Sequence, residues 1–189
     1  MLRAEKGNSR RIFRTCQPCA DLYQKIRGGG KVEGLIIREL LEQDLPDVVG
    51  IENISFTTPW SEILFFNEIY KQRSIAKVAI MEEAGSAQRV VGYICADYVA
   101  DEGHILNLAV HPDFRKKGIA KILVKNVLED LEKTDCRFLY LEVRASNVAA
   151  KKLYEGFGFV IVGTRKKYYN KPEEDAVIMR LAFRPRAAG

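Results

Sequence analysis

Residues 138–159 read FLYLEVRASNVAAKKLYEGFGF, and this stretch decides both the local fold and the chemistry expected of the chain. Its nearly apolar start predicts a strand over residues 138–143 that carries one carboxylate, Glu142. Asn147 then begins a helix that places Tyr154 on its apolar side. A carboxylate in a buried strand, followed by a phenol one short helix later, predicts a general base and a general acid.

Strand parity fixes which neighbours share a face with Glu142. Residues two or four positions away point the same way, namely Phe138, Tyr140 and Arg144. From the residues alone, two interpretations of the pair stay open. Glu142 is either a catalytic base or a structural carboxylate paired with Arg144 or with a basic loop. Tyr154 is either an acid at the site or a tyrosine of the core.

A second motif lies upstream, where residues 106–121 read LNLAVHPDFRKKGIAK. A strand runs into a proline turn and then into a basic loop at the start of a helix. Backbone N–H groups and the helix dipole favour an anion at such a position. Gly118 lets the backbone approach a pyrophosphate closely, and positive charge comes from Arg115, Lys116, Lys117 and Lys121. The alternative is a solvated basic turn.

The remaining patterns complete an α/β architecture. Period-2 and period-3.6 segments follow the order β-α-α-β-β-β-α-β-α-β-β, which predicts a mixed sheet of about seven strands with helices on both faces. Asp44 is expected to cap the first helix. The expected buried stripe of this helix consists of Val48, Val49, Ile51 and Ile54. For the second helix, expected to be capped by Ser61, the apolar side is Ile63, Leu64, Phe65, Phe66 and Ile69.

Length and composition indicate a single soluble domain. The chain has 189 residues, of which 47% are hydrophobic and 29% charged, and it is long enough to bury a core. No stretch approaches the roughly 18 uninterrupted apolar residues of a membrane helix, and no hydrophobic signal-peptide core is present. We therefore expect a cytoplasmic protein with no membrane partner.

The net charge of +5 is concentrated at the N-terminus. Residues 1–31 contain eight Lys and Arg against two Asp and Glu, which gives +6 and leaves −1 for the remainder. A Gly28-Gly29-Gly30 break predicts a leader over residues 1–33 and a domain over residues 34–185. The leader is expected either to contact RNA or the ribosome weakly, or to be a disordered tail or translation from an upstream start codon.

The cysteines do not predict a metal site. Cys16 and Cys19 have zinc or redox spacing, but no second cysteine pair follows. The two histidines, His104 and His111, lie far away in the sequence, and His111 is expected to be a surface residue. The other two cysteines occupy apolar segments and are expected in the core, namely Cys95 and Cys136.

These motifs resemble a known family over residues 35–183. Arg115-x-x-Gly118-x-Ala120 fits the acetyl-CoA signature Q/R-x-x-G-x-G/A of the GCN5-related N-acetyltransferase (GNAT) superfamily, with Ala120 in place of the more usual second Gly. Longer segments resemble the bacterial ribosomal-protein-alanine N-acetyltransferases, the RimI family. They are IE at 51–52, F at 56, PWSE at 59–62, LEVRASN at 141–147, LYE at 153–155, GF at 158–159, YY at 168–169 and EDAVIM at 174–179.

The resemblance implies an acyltransferase fold in which neighbouring strands open in a V to admit acetyl-CoA. It implies that Glu142 is the general base and Tyr154 the general acid. The backbone at Leu108, Ala109 and Val110 would hold the pantetheine arm. The pyrophosphate would lie on the loop of Arg115, Lys116, Lys117, Gly118, Ile119, Ala120 and Lys121, with a further cofactor contact from Asn147.

The implied acceptor is a protein N-terminus, the alanine amine of the eighteenth protein of the small ribosomal subunit, and not DNA. Trp60, the region around Tyr168 and the last hairpin are expected to shape its pocket. Two alternatives stay open. One is acetylation of a lysine side chain or of a small amine, and the other is a non-catalytic module that binds CoA or the ribosome.

Overall fold

The computed structural model describes residues 32–82 and 88–183. The predicted leader, apart from Val32 and Glu33, lies outside the described residues, and so do Cys16 and Cys19. The described residues form seven strands and four α-helices in the predicted order. They are β1 (Leu35–Glu39), α1 (Leu45–Ser55), α2 (Glu62–Tyr70), β2 (Ser74–Glu82), β3 (Gln88–Val99), β4 (Glu102–Val110), α3 (Ile119–Leu131), β5 (Phe138–Arg144), α4 (Val148–Glu155), β6 (Val160–Asn170) and β7 (Glu173–Ala182).

The strands form one mixed sheet in the order β1-β2-β3-β4-β5-β7-β6. Within the described sheet, β4 and β5 are parallel and every other neighbouring pair is antiparallel. Two parallel neighbouring strands must be joined by a crossover connection, and α3 is the crossover helix between β4 and β5. The predicted mixed α/β sheet with about seven strands is therefore confirmed.

Burial along the strands shows which parts of the sheet the helices cover. Residues 75–80 of β2 and 90–96 of β3 are all buried, so both faces of these central stretches are covered. In β5 burial alternates strictly, with Leu139, Leu141 and Val143 buried and Glu142 half-buried on the other face. The predicted parity of Glu142 is confirmed, and its face of β5 is open.

Two hydrophobic clusters lie on opposite faces of the sheet. The larger one packs α3 and α4 against β2 to β5 and β7, and its α3 residues are Ile119, Leu123, Val124, Val127, Leu128 and Leu131. The smaller one packs α1 and α2 against the other face, around Phe65 and Tyr93. The rings of these two residues meet edge to face with centroids 5.2 Å apart. The predicted cysteine environment also holds, since Cys95 and Cys136 are buried.

The apolar sides expected for α1 and α2 are partly wrong. Ile54 is 54% exposed, and Ile63, Leu64 and Phe66 are exposed as well. Successive helical residues turn by about 100°, so the consecutive run 63–66 points all around the helix and only Phe65 faces the sheet. In α1 the same geometry turns Glu52, rather than Ile54, toward the core.

The side-chain caps expected from Asp44 and Ser61 are absent from the structure. Both residues occupy the N-cap position, but neither side chain bonds a helix N–H. The carboxylate of Asp44 instead forms two bonds of 2.6 and 2.7 Å with Arg38, and it accepts the N–H of Leu41. A paired guanidinium competes successfully for a carboxylate because charge-assisted bonds are the stronger ones.

Candidate active site

The parallel strands at the centre of the sheet separate partway along their length. Residues 102–105 of β4 pair with residues 138–141 of β5. Beyond that point β4 continues along β3, whereas β5 continues along β7. A V-shaped opening therefore lies between residues 106–110 and residues 142–144, and Glu142 stands at its start.

Leu106 marks the position where β4 turns away. Its neighbours Ile105 and Asn107 pair with Ala96 and Cys95 of β3, so Leu106 is the extra residue of a β-bulge. A bulge bends the strand and increases its twist. From Asn107 to Val110 one edge of β4 still pairs with β3, and the other edge faces the opening. Alternate N–H and C=O groups on that edge are available to an extended ligand.

The opening leads to the N-terminus of α3. The chain enters this helix with left-handed backbone at Lys116 (φ 62°) and Gly118 (φ 86°). A Cβ built at Gly118 would meet no atom within 4 Å, so the space beside its backbone is open. The first helical bond runs from Ile122 to the Gly118 carbonyl. The N–H groups of residues 119–121 consequently have no acceptor inside the helix and form a positive end suited to an anion.

The side chains of this loop have different roles. Arg115 donates from Nε to the carbonyl of Val110 at 2.9 Å and from Nη2 to Ser55 at 3.2 Å, so it ties the loop to β4 and α1. Lys116, Lys117 and Lys121 are exposed, and the ammonium of Lys117 lies 4.7 Å from the Phe114 ring centroid. The predicted Ile119 and Ala120 pack into or against the core, so only their backbone faces a ligand.

Glu142 lies at the rim of the opening. Its side chain is 24% exposed, and Oε1 lies 3.4 Å from the guanidinium of Arg165 on β6. Arg144 pairs with Glu174 instead, so the alternative salt bridge between Glu142 and Arg144 is not formed. Because Arg165 is itself 55% exposed, its pairing with Glu142 is weak. The carboxylate is thus accessible to a further partner.

Tyr154 is buried under α4, with only 6% of its surface exposed. Its ring packs edge to face on Phe159, with centroids 5.4 Å apart. Burial raises the pKa of Tyr154 well above its ordinary value, and the nearby Tyr169 raises it further. Within the described residues the Tyr154 hydroxyl has no hydrogen-bond partner. It is therefore a protonated donor that is free to bond a ligand.

Asn147 begins α4, as predicted. Its side-chain oxygen accepts the N–H of Ala150 at 3.0 Å, which makes it a regular N-cap. The chain leaves α4 through Gly156, which keeps right-handed helical geometry, and the left-handed residue is Gly158 instead. The exposed amide nitrogen of Asn147 remains available to a ligand.

These elements match those of a known enzyme family. Residues 38–159 match the model of the acetyltransferase (GNAT) family. The chain belongs to the GNAT family.

Relatives of this GNAT chain have names that specify an acceptor. The [ribosomal protein bS18]-alanine N-acetyltransferase of Salmonella typhimurium is 36% identical over 140 residues, which cover 73% of this chain and 90% of that protein. The crystal structure of the ribosomal-protein-S18-alanine N-acetyltransferase from Escherichia coli is similar with a TM-score of 0.70 and 34% identity, covering 82% and 96% of the two chains. The crystal structure of a NatC complex bound to Gag peptide and CoA has a TM-score of 0.70 and 25% identity, covering 79% and 99%.

Sequence reasoning missed a polar cluster beside the opening of this GNAT domain. The carboxylate of Glu52 is only 1% exposed. Oε1 accepts the backbone N–H of Trp60 at 2.8 Å and the amide of Asn107 at 3.1 Å, and Oε2 accepts the hydroxyl of Tyr93. Burial and the Glu52 charge raise the pKa of Tyr93 far above its ordinary value. The cluster joins α1 to the loop before α2 and to the separated part of β4.

The residues expected around the acceptor pocket are at least partly exposed. Trp60 packs on Phe65, with ring centroids 5.3 Å apart. Tyr168 is exposed, and the guanidinium of Arg165 lies over its ring at 5.5 Å. The pKa of Tyr169 is raised by burial and, to a smaller extent, by the charge of Tyr168. Of these elements, β6 reaches Glu142 directly, through Arg165.

The two histidines lie outside this arrangement. The side chain of His111 is 19% exposed, and it accepts the N–H of Asp113 and lies against Phe114. His104 stacks on Tyr140 across the β4–β5 pair. Among residues 32–82 and 88–183, no cluster of His, Cys, Asp or Glu could hold a metal ion. In the same part of the chain, no helix is long and apolar enough to cross a membrane.

Proposed function

We propose that the protein is an N-α-acetyltransferase that moves an acetyl group from acetyl-CoA to the N-terminal alanine of a small-subunit ribosomal protein. One observation carries the proposal. A carboxylate, Glu142, stands at the start of the β4–β5 opening, in a chain whose relatives at about 35% identity over most of their length are named for this reaction.

The residues around the opening fit acetyl-CoA. The free edge of β4 at Leu108, Ala109 and Val110 matches an extended pantetheine arm with amide groups of its own. The loop of residues 115–121 offers backbone N–H groups and three exposed lysines to the pyrophosphate. Gly118 leaves room for that approach. Arg115 serves by holding the loop against β4, and Asn147 supplies an amide donor at the other side of the opening.

Glu142 is assigned as the general base. An α-amino group has a pKa of about 8, so at pH 7 only a minority of the acceptor is neutral and nucleophilic. The Glu142 carboxylate removes the proton from the acceptor ammonium, directly or through one water. Its position beside the opening keeps the amine near the thioester carbonyl, which the acetyl donor supplies when bound.

Tyr154 is assigned as the general acid. Its raised pKa keeps the phenol protonated throughout the neutral range. The hydroxyl can therefore donate its proton to the sulfur atom as the carbon–sulfur bond breaks. The ammonium loses one proton to Glu142 before the attack, and the leaving thiolate gains one from Tyr154. The nitrogen loses its second proton as the amide forms, and this proton restores the Tyr154 phenol. Glu142 releases its proton to solvent.

Residues 34–185 are proposed to be the catalytic domain, which agrees with a family match that lies inside these bounds. The cytoplasm is proposed as its location, since relatives are named for the modification of a ribosomal protein. The basic leader is proposed to make at most weak contact with the ribosome or RNA. Deletion of residues 1–31 would then reduce ribosome association at low salt, and the loss would disappear as salt rises.

The function is tested by measuring acetyl-CoA turnover on three peptides. One has a free N-terminal Ala, one has this terminus blocked, and one is blocked but carries an internal Lys. Wild type is expected to acetylate the free-Ala peptide alone. Glu142→Gln and Tyr154→Phe should each lower kcat by about a hundredfold or more. Glu155→Gln and Tyr98→Phe are matched controls, because Glu155 is exposed on α4 and Tyr98 pairs with Gly103, in the part of β4 that is still joined to β5.

Other outcomes separate the parts of the proposal. Turnover of the blocked Lys peptide would retain the acetyltransferase and remove the N-terminal acceptor. Full activity of Glu142→Gln would remove its role as base. Tight acetyl-CoA binding without turnover of any amine would favour a non-catalytic CoA-binding module.

A further inference from the structure

The turn between β6 and β7 is held both by the strand pairs beside it and by contacts from a side chain of β5. β6 is an edge strand, and its residues are exposed along nearly its whole length. Its pairing with β7 is irregular between Arg165 and Tyr169. A segment with so few buried side chains depends on specific polar contacts for its position.

Arg144, the last residue of β5, makes those contacts. Nη2 donates to the carbonyl of Lys171 at 2.9 Å and Nη1 to the carbonyl of Pro172 at 3.2 Å. Nη1 also pairs with Glu174 at 3.2 Å. The guanidinium lies over the ring of Tyr169, 4.1 Å from its centroid. One side chain thus holds both carbonyls of the turn and both strands that lead into it.

The loop between α1 and α2 also contacts the hairpin turn and Arg144, through Thr57. The hydroxyl of Thr57 donates to the carbonyl of Lys171 at 2.5 Å, and it lies 3.5 Å from Nη2 of Arg144. The hairpin turn and this loop therefore meet beside Arg144. They close one end of the sheet face that carries Glu142. In β5, Glu142 lies two residues before Arg144.

We propose that Arg144 is a positioning residue for the acceptor. It fixes the hairpin turn and the loop after α1 so that an incoming N-terminus is guided to Glu142. The acceptor's identity rests on the proposed function, but the bracing role does not. A guanidinium suits this role because its planar fork donates to two carbonyl oxygens at once, whereas an ammonium acts as a point charge.

The proposal is tested with Arg144→Met, Arg144→Lys and the control Arg137→Met. Arg137 is an exposed arginine that lies over Phe138 near the start of β5. In Arg144→Met, the KM for the acceptor peptide should rise by about tenfold or more, while the KM for acetyl-CoA stays within about twofold. Arg144→Lys should resemble Arg144→Met, because the charge alone does not reproduce the fork. Arg137→Met should match wild type.

Amide hydrogen exchange supplies a readout that does not depend on activity. In Arg144→Met the amides of residues 166–174 should exchange faster, and those of α3 should be unchanged. Equal rises in both KM values, or unchanged exchange in the hairpin, would overturn the positioning role. Wild-type kinetics in Arg144→Lys would overturn the role given to the guanidinium fork, because a positive charge alone would then position the acceptor.

A second variant covers the case in which Arg144→Met fails to fold. Thr57→Val removes the hydroxyl between loop and hairpin and leaves Arg144 intact. It should raise the acceptor KM in the same direction by a smaller factor, and an unchanged acceptor KM would count against the proposal. If wild type prefers the Lys peptide, the proposed acceptor is wrong, and the KM comparison is then made with that peptide. The hairpin exchange result stands in either case.

Discussion

Glu52 shows how one buried side chain can organise a site that it does not enter. Its carboxylate is held by three neutral donors, from Trp60, Tyr93 and Asn107. Hydrogen bonds to a charged group are worth more than neutral ones, and a buried donor that loses its acceptor is costly. We expect Glu52→Gln to lower the free energy of unfolding by about 1–3 kcal/mol, measured by urea denaturation.

The amide substitution is informative because it keeps the size of the side chain. Its oxygen can still accept from two donors, while its NH₂ replaces the oxygen that faces the Tyr93 hydroxyl. Glu155→Gln is the control, since Glu155 is exposed. An unfolding free energy for Glu52→Gln equal to that of the control would show that the cluster does not depend on the carboxylate charge.

The contrast between Glu142 and Glu52 shows what residue patterns can predict. The face of Glu142 follows from a period of two within one strand, so it could be predicted locally. The partners of Glu52 lie 8, 41 and 55 residues away along the chain. The contact between Thr57 and Lys171 spans 114 residues. No local pattern encodes such pairs, because they form only when the sheet assembles.

A measurement of CoA binding should test most directly whether the start of α3 holds the pyrophosphate. Gly118 has a left-handed backbone with open space where a Cβ would point. Gly118→Ala therefore adds strain of about 1 kcal/mol to the folded protein but no steric clash. If the pyrophosphate lies against this backbone, the added methyl group blocks it. We expect CoA affinity, measured by calorimetry, to fall by about tenfold or more, beyond what the strain explains.

Gly50 is a matched control for that experiment. It lies within α1, and a Cβ built there meets nothing within 4 Å. Gly50→Ala should stabilise the protein by about 0.5–1 kcal/mol through helix propensity and leave CoA affinity unchanged. Wild-type affinity in Gly118→Ala would mean that the cofactor does not approach this loop.

The buried side of a helix could be predicted where its apolar residues all lie on one side. It could not be predicted where they point in several directions. In α3 the apolar residues recur at helical spacing on one side, and every one of them is buried or packs against the core, namely Ala120, Leu123, Val124, Val127, Leu128 and Leu131. In α2 the apolar residues are consecutive and therefore point to all sides of the helix, namely Ile63, Leu64, Phe65 and Phe66. The sequence could not show which of these sides faces the sheet. Tertiary packing sets the orientation of α2, in which Phe65 faces the sheet.

At the scale of the whole molecule, the opening divides the sheet into two parts. β1 to β4 lie on one side, and β5, β7 and β6 on the other, with four paired residues of β4 and β5 between them. The family resemblance implied such an opening, but the residue at which β4 and β5 separate depends on a bulge that the alternation of apolar residues does not mark. The larger cluster, in contrast, draws residues from both parts around α3.

This shared cluster should make the two parts unfold together even though few strand pairs join them. Leu128→Ala, in the fully buried stripe of α3, is expected to cost about 2–5 kcal/mol and to keep one cooperative transition. Trp60, the sole tryptophan of the sequence, packs against the smaller cluster, so its fluorescence reports one part while circular dichroism reports the whole. Within each protein, wild type or Leu128→Ala, the fluorescence and circular dichroism signals should have the same urea midpoint. Exposed Val99→Ala should change the free energy of unfolding by no more than about 0.5 kcal/mol. If Trp60 responded at a different midpoint, α3 would not couple the two sides, and the opening would be a boundary between independent folding units.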